Sequence, residues 1–173
     1  MEIEEKIDKV MQSMLGEFPE LVRNLFQDTL GLEIEEIDSE KWSIVPRLSM
    51  KQEHSMNMGL SNDDWSSLLA MSFSAEMFNL IPGVDGDIEL ARSGLGEVLN
   101  GMGGVLAGNS TIIDAFQELT QAPPMYYANE VLYPKTSSIQ GVLVCQGETI
   151  DFGWACRSTI SPMMRRMLER NKQ

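Results

Sequence analysis

The sequence predicts an α/β fold of the α+β kind, with helices packed on a mostly antiparallel β-sheet. Three observations carry this reading. Helix-period segments open the chain, divide it in the middle and close it, and strand-period segments fill the intervals. Neighbouring strand segments are joined by short turns rich in Asn, Asp and Gly, as antiparallel neighbours require. The length of 173 residues fits one domain with a single core.

The elements follow in order. Residues 2–14 alternate acidic and apolar positions at helical spacing. Residues 18–30, FPELVRNLFQDTL, repeat that spacing with Phe18, Leu21, Val22, Leu25 and Leu30, and Gly31 stands where a C-cap belongs. LEIEEID and KWSIVPRLSMKQ read as extended segments. SMNMGLS and WSSLLAMSF form two strands around Asn62, Asp63 and Asp64. AEMFNLI is a short helix ending near Pro82 and Gly83. Asp85 or Asp87 then caps a long helix that holds residues 91–110. Pro123 and Pro124 enforce a break after it. MYYANEVLY is a strand or an irregular edge. SSIQGVLVCQ and ETIDFGWACRS are strands with Gly147 at their turn. The chain closes in SPMMRRMLERNKQ, a helix with Ser161 as its cap and Pro162 at its first position.

Composition narrows the function classes. The formal net charge is −13, which disfavours nucleic acid and anionic membrane as partners because both demand Lys and Arg. No apolar run approaches the ~20 residues of a membrane span. The start MEIEEKIDKV is acidic and has no apolar stretch, so it does not read as a secretory signal. Cys145 and Cys156 are too few for a disulfide framework and match no metal motif; they are expected to be buried and reduced, as in a cytoplasmic protein. The acidic clusters EIEE and DGDIE lack the EF-hand pattern, and no metal or cofactor site of the protein's own is expected.

The stretch ARSGLGEVLNGMGGVLAGNS, residues 91–110, is the most informative. Six of its twenty residues are glycine, and each costs roughly 1 kcal/mol in a helix relative to alanine. At about 100° per residue, Leu95, Val98, Leu99, Met102, Val105 and Leu106 fall within about 80° of one direction and form a core stripe. Ser93, Glu97, Asn100 and Gly104 form a second stripe on the opposite side. Close packing can account for glycines on the flanks. It does not account for Gly104, beside Glu97 and Asn100 on the outer face. A bare backbone next to a polar pair is what a docking macromolecule needs for close approach. Nucleotide loops are excluded, since neither GLGEVL nor GMGGVL completes G-x-G-x-x-G and no G-K-[ST] follows.

Ser93, Glu97, Asn100 and Pro123 stand at the intervals [D/S]-x3-E-x2-N-x22-P. In this the chain resembles the CheX/CheC/FliY family of chemotaxis phosphatases over roughly residues 18–158, with FPELVRNLFQDTLG similar to the start of a CheX domain. The resemblance implies a CheC-like fold with two long helices on the sheet, in a single CheX-like domain over 1–173, to which helix 2–14 and helix 161–170 are additions. The first long helix offers Glu20 followed by Arg23 rather than Asn, so one site is expected, as in CheX, together with a homodimer.

The resemblance also implies the chemistry. The substrate is the aspartyl phosphate of a CheY-like response-regulator receiver, in chemotaxis or another two-component pathway, with Mg²⁺ supplied by the receiver. Asn100 orients the attacking water, since an amide both accepts and donates. Glu97 docks the receiver's lysine; Ser93 supports that contact, and Pro123 shapes the segment after the helix. His54, the only histidine, is far away in sequence and expected at the surface. The alternatives are a receiver-binding adaptor or flagellar-switch interaction module without turnover, and a dimeric structural protein whose helix glycines serve only packing.

Overall fold

The computed structural model describes residues 2–35, 41–128, 131–161, 163, 164, 167 and 170. The order of elements is α1 (Ile3–Leu15), α2 (Phe18–Leu30), β1 (Ser43–Arg47), β2 (His54–Ser61), β3 (Trp65–Phe73), α3 (Met77–Leu80), α4 (Ile88–Gly108), α5 (Ser110–Phe116), β4 (Thr120–Gln121), β5 (Met125–Tyr127), β6 (Lys135–Cys145) and β7 (Glu148–Ser158). Among the described residues, the seven strands join one sheet in the order β1-β6-β7-β3-β2-β4, with β5 also paired to β2. Every pairing is antiparallel. This is the α+β architecture read from the sequence.

Strand alternation decides which side chains face the helices. Met56, Met58 and Leu60 of β2, Leu69, Met71 and Phe73 of β3, and Ile150, Phe152, Trp154 and Cys156 of β7 all enter the main core. The helices close that core from one side. Phe18 opens α2 with its ring stacked 6.2 Å from that of Trp154, and Phe26 meets Phe152 edge-on. Helix α1 contributes Ile7, Val10, Met11 and Met14 to the same core and packs over β6, β1 and α5. Met71, Met77 and Met102 are fully buried core methionines. On the other face of the sheet a small cluster forms where Leu48, Met50 and Tyr133 lie over Ala70 and Ala155. There the Tyr133 hydroxyl donates to Asn57 Oδ1 at 2.9 Å.

Local chemistry sets the ends of the elements. Gly31 takes φ +66° at the C-cap of α2, and its N–H donates to the Gln27 carbonyl. In the turn before β3, the Asn62 side chain accepts from the N–H groups of Asp64 and Trp65. Gln146 and Gly147 both take positive φ in the turn joining β6 to β7, the conformation of a tight hairpin.

Two parts of the sequence reading are corrected. The segment around Leu32 and Ile34 is no strand; both side chains are buried, and the Glu35 N–H donates to the Val144 carbonyl at 3.0 Å. Residues 36–38 of LEIEEID, and 39 and 40 after it, lie outside the described residues. The helix after α4 was not anticipated: Asn109 breaks the helical run, and its side chain accepts from the Ile112 N–H to start α5. In the C-terminal helix expected at 161–170, Ser161 Oγ does accept from the Met164 N–H at 3.2 Å, and Met163, Met164, Met167 and Arg170 are helical and exposed. Its other positions lie outside the described residues. Both cysteines are buried and free.

Candidate functional site

Helix α4 begins at Asp87, whose carboxylate accepts from the Leu90 N–H at 3.1 Å; Asp85 instead takes φ +50° in the preceding turn. The core stripe is as expected: Leu95, Val98, Leu99, Met102 and Leu106 are fully buried, and Val105 is half-buried. The glycines divide into two groups. A Cβ on Gly94 would stand 2.7 Å from Leu30 Cδ2, and one on Gly101 2.8 Å from Leu25 Cδ2. These two let α2 lie close against α4. A Cβ on Gly103 would stand 2.1 Å from Met58 Cε, so this glycine seats α4 on β2. The other three are not required by packing. Gly96 and Gly104 would meet neighbours only at 3.6 Å, and Gly108 would meet nothing within 4 Å.

The outer stripe carries the motif. Asn100 Nδ2 donates to Glu97 Oε1 at 3.4 Å. Glu97 and Ser93 are exposed and Asn100 is half-buried. Gly104 is exposed one turn further on, its backbone bare except for the Gln121 amide. Beside the stripe runs an open groove of about 390 Å³, walled by Ser93, Gly96, Glu97 and Asn100 on one side and by Pro124 and Tyr126 on the other. Gly96 forms its floor over Met56, and a side chain there would narrow it. Pro123 is exposed between β4 and β5; the proline that lines the groove is its neighbour Pro124. Glu20 and Arg23 on α2 pair with each other at 2.8 Å, so the corresponding positions of that helix carry a closed ion pair.

The groove has members that the sequence did not disclose. Arg92 lies with its guanidinium carbon 3.8 Å from the centre of the Tyr126 ring, and its Nη1 donates to Glu89 Oε1 at 2.8 Å. Tyr126 is in turn held by a short hydrogen bond between its hydroxyl and His54 Nδ1. His54 is therefore no surface residue. Its side chain is 15% exposed and its ring packs against Phe73, Phe78 and Tyr126. The pairing that brings it here, β5 against β2, joins residues about seventy apart and leaves no local signal. Among the described residues no group of three or more His, Cys, Asp or Glu could hold a metal ion, and no helix is long and apolar enough to cross a membrane.

The fold is that of CheX and CheC-like chemotaxis proteins. No protein-family model matches the chain, and no curated protein matches its sequence. Solved structures do match. A chemotaxis protein CheX from Desulfovibrio desulfuricans superposes with a TM-score of 0.64 at 13% identity, covering 84% of this chain and 99% of that one. The CheX of a CheX–CheY–BeF3–Mg²⁺ complex from Borrelia burgdorferi gives 0.52 at 16% identity, covering 82% and 96%. A FliM–SpeE complex from H. pylori supplies a match of 0.59 at 11% identity, covering 99% and 98%.

Proposed function

We propose that this protein is a phosphatase of a CheY-type response-regulator receiver, with Asn100 and Glu97 as its catalytic pair. The observation that carries the reading is the joint presentation of Glu97 and Asn100 on the open face of α4, beside a groove. The same fold occurs in the CheX of a solved complex with CheY, BeF3 and Mg²⁺.

The chemistry asks little of the protein. An aspartyl phosphate is an acyl phosphate, a reactive mixed anhydride, and its hydrolysis needs a water held in line with the leaving carboxylate oxygen. As the water oxygen bonds to phosphorus, the phosphorus–aspartate bond breaks. The aspartate leaves as a carboxylate, and the water's protons depart with inorganic phosphate. The Asn100 amide can accept from that water through Oδ1 and donate to it through Nδ2. At 3.4 Å the Asn100–Glu97 bond is long and weak, and Glu97 can turn to a receiver lysine without a large loss. One turn of helix ties the two, so a contact at Glu97 fixes the reach of Asn100. Ser93 is a supporting contact a further turn back. The receiver supplies the Mg²⁺, and a second copy of this chain completes a homodimer.

A receiver-binding module without turnover is the second reading. The match to FliM across nearly the whole chain favours it, because this fold also occurs in a protein solved in complex with SpeE. One experiment separates the two: decay of phosphate on receivers encoded near this gene, in Mg²⁺, with wild type and with Asn100→Ala. Acceleration by wild type alone, with binding kept in the variant, supports the phosphatase. Full activity in Asn100→Ala sinks the water-positioning role. Binding with no acceleration of any receiver leaves the binding module.

A further inference from the structure

We infer that Arg92 is the docking cation of this site: it takes a carboxylate on the rim of the receiver's phosphorylation site, and Glu89 holds its place in the unbound protein. The inference rests on the receiver reading above and names a contact that the Glu97–Asn100 pair does not supply.

Arg92 is the single basic residue of α4, in a chain with 13 basic and 26 acidic side chains. It is fixed in place. The guanidinium carbon lies over the Tyr126 ring, Tyr126 is hydrogen-bonded to His54, and His54 is backed by Phe73 and Phe78. Its Nε is buried with no hydrogen-bond partner among the described residues. With the ring beneath it the guanidinium still presents N–H groups to a carboxylate, as its bond to Glu89 shows, and its fork matches a carboxylate with two parallel bonds. The carboxylate it now holds is Glu89, which is 83% exposed and one turn away on the same helix. Exposed pairs of this kind are weak and exchange readily.

Distance decides what Arg92 touches. It precedes Asn100 by eight residues, about 12 Å along the helix axis. That is too far to share a phosphoryl oxygen with water held at Asn100. It is a suitable distance for the surround of the phosphorylation site, which must be rich in carboxylates because Mg²⁺ takes oxygen ligands. Arg92 is therefore a positioning residue, acting on association rather than on the chemical step.

The test uses the full-length protein with a Mg²⁺- and beryllofluoride-loaded receiver for binding, and the phosphorylated receiver for turnover. Arg92→Gln is expected to raise both Kd and KM about tenfold at low salt, with kcat within twofold of wild type. The difference should shrink at high salt. Glu89→Gln is expected to shift Kd the other way, because it releases Arg92. Arg92→Lys should restore part of the affinity but not all, since lysine lacks the fork. Unchanged Kd and KM in Arg92→Gln, with wild type binding and hydrolysing, overturn this inference alone; so does a Glu89→Gln variant that binds more weakly. If wild type neither binds nor hydrolyses any receiver, the phosphatase reading falls first and this contact falls with it.

Discussion

Replacing Gly104 by alanine should make the protein more stable and less active. An alanine in a helix interior is favoured over glycine by about 0.8–1.0 kcal/mol. Nothing opposes that gain at this position, because a Cβ on Gly104 would have its nearest neighbour, Gln121 Nε2, at an ordinary 3.6 Å. For a chain of this length, about 1 kcal/mol corresponds to a rise of roughly 2–4 °C in Tm. Gly103→Ala, one residue away, is the contrast. Its Cβ would stand 2.1 Å from Met58 Cε and 3.2 Å from Gln121 Cδ, and Met58 is 1% exposed. Overpacking of this kind costs about 1–3 kcal/mol, which outweighs the helical gain, so Tm should fall. Activity then separates packing from docking. The new methyl of Gly104→Ala stands on the open face beside Glu97 and Asn100. It should hold a docking partner away and raise KM about tenfold, the equivalent of about 1.4 kcal/mol. Thermal unfolding read beside phosphate decay in Mg²⁺ measures both quantities. A lower Tm would refute the free-space geometry. A higher Tm with unchanged turnover would show that this glycine serves no partner.

Other consequences are as direct. Asp87→Ala removes the cap of α4 and should lower stability by about 1 kcal/mol in denaturant unfolding. Gly141→Ala would set a Cβ 2.0 Å from the buried Trp42 ring, and chemical unfolding should register a loss of about 1–3 kcal/mol. Burial pushes the Cys156 thiol up to about 12 and raises Cys145 as well, the latter aided by the nearby charges of Glu35 and Glu33. Because the folded values lie above those of the unfolded chain, this stabilisation is complete below about pH 8.5. For Cys156 it is lost as pH climbs toward 12, by up to about 1.4 kcal/mol per pH unit. Cys156→Ala should flatten that alkaline limb, and native protein should react slowly with thiol reagents at neutral pH.

Much of this fold was legible because its signals are local. The periodicity of residues 2–14 and 18–30 and the turn and cap glycines at 31 and 147 act within a few residues, and the structure places each where the sequence did; of the two aspartates read as caps of α4, Asp87 is the one used. The face of α4 was readable for the same reason. Helix α5 was missed because Asn109 is a weak interruption whose capping role depends on the chain turning there. The wall of the groove was missed for a different reason. His54, Arg92 and Tyr126 meet only after β5 pairs with β2 and α4 settles on that strand. Histidine and tyrosine in separate segments carry no spacing that announces the contact.

The two glycines that face α2 also bear on how the protein can respond to a partner. Leu25 and Leu30 sit where side chains on α4 would otherwise stand. Sliding α4 by one turn, about 5.4 Å, would carry those methyls out of their notches and onto neighbouring side chains. The helix is keyed to its neighbour like a tongue in a slot. The backbone that carries Glu97 and Asn100 thus stands as a fixed gauge at a constant height above the sheet, whichever way their side chains turn.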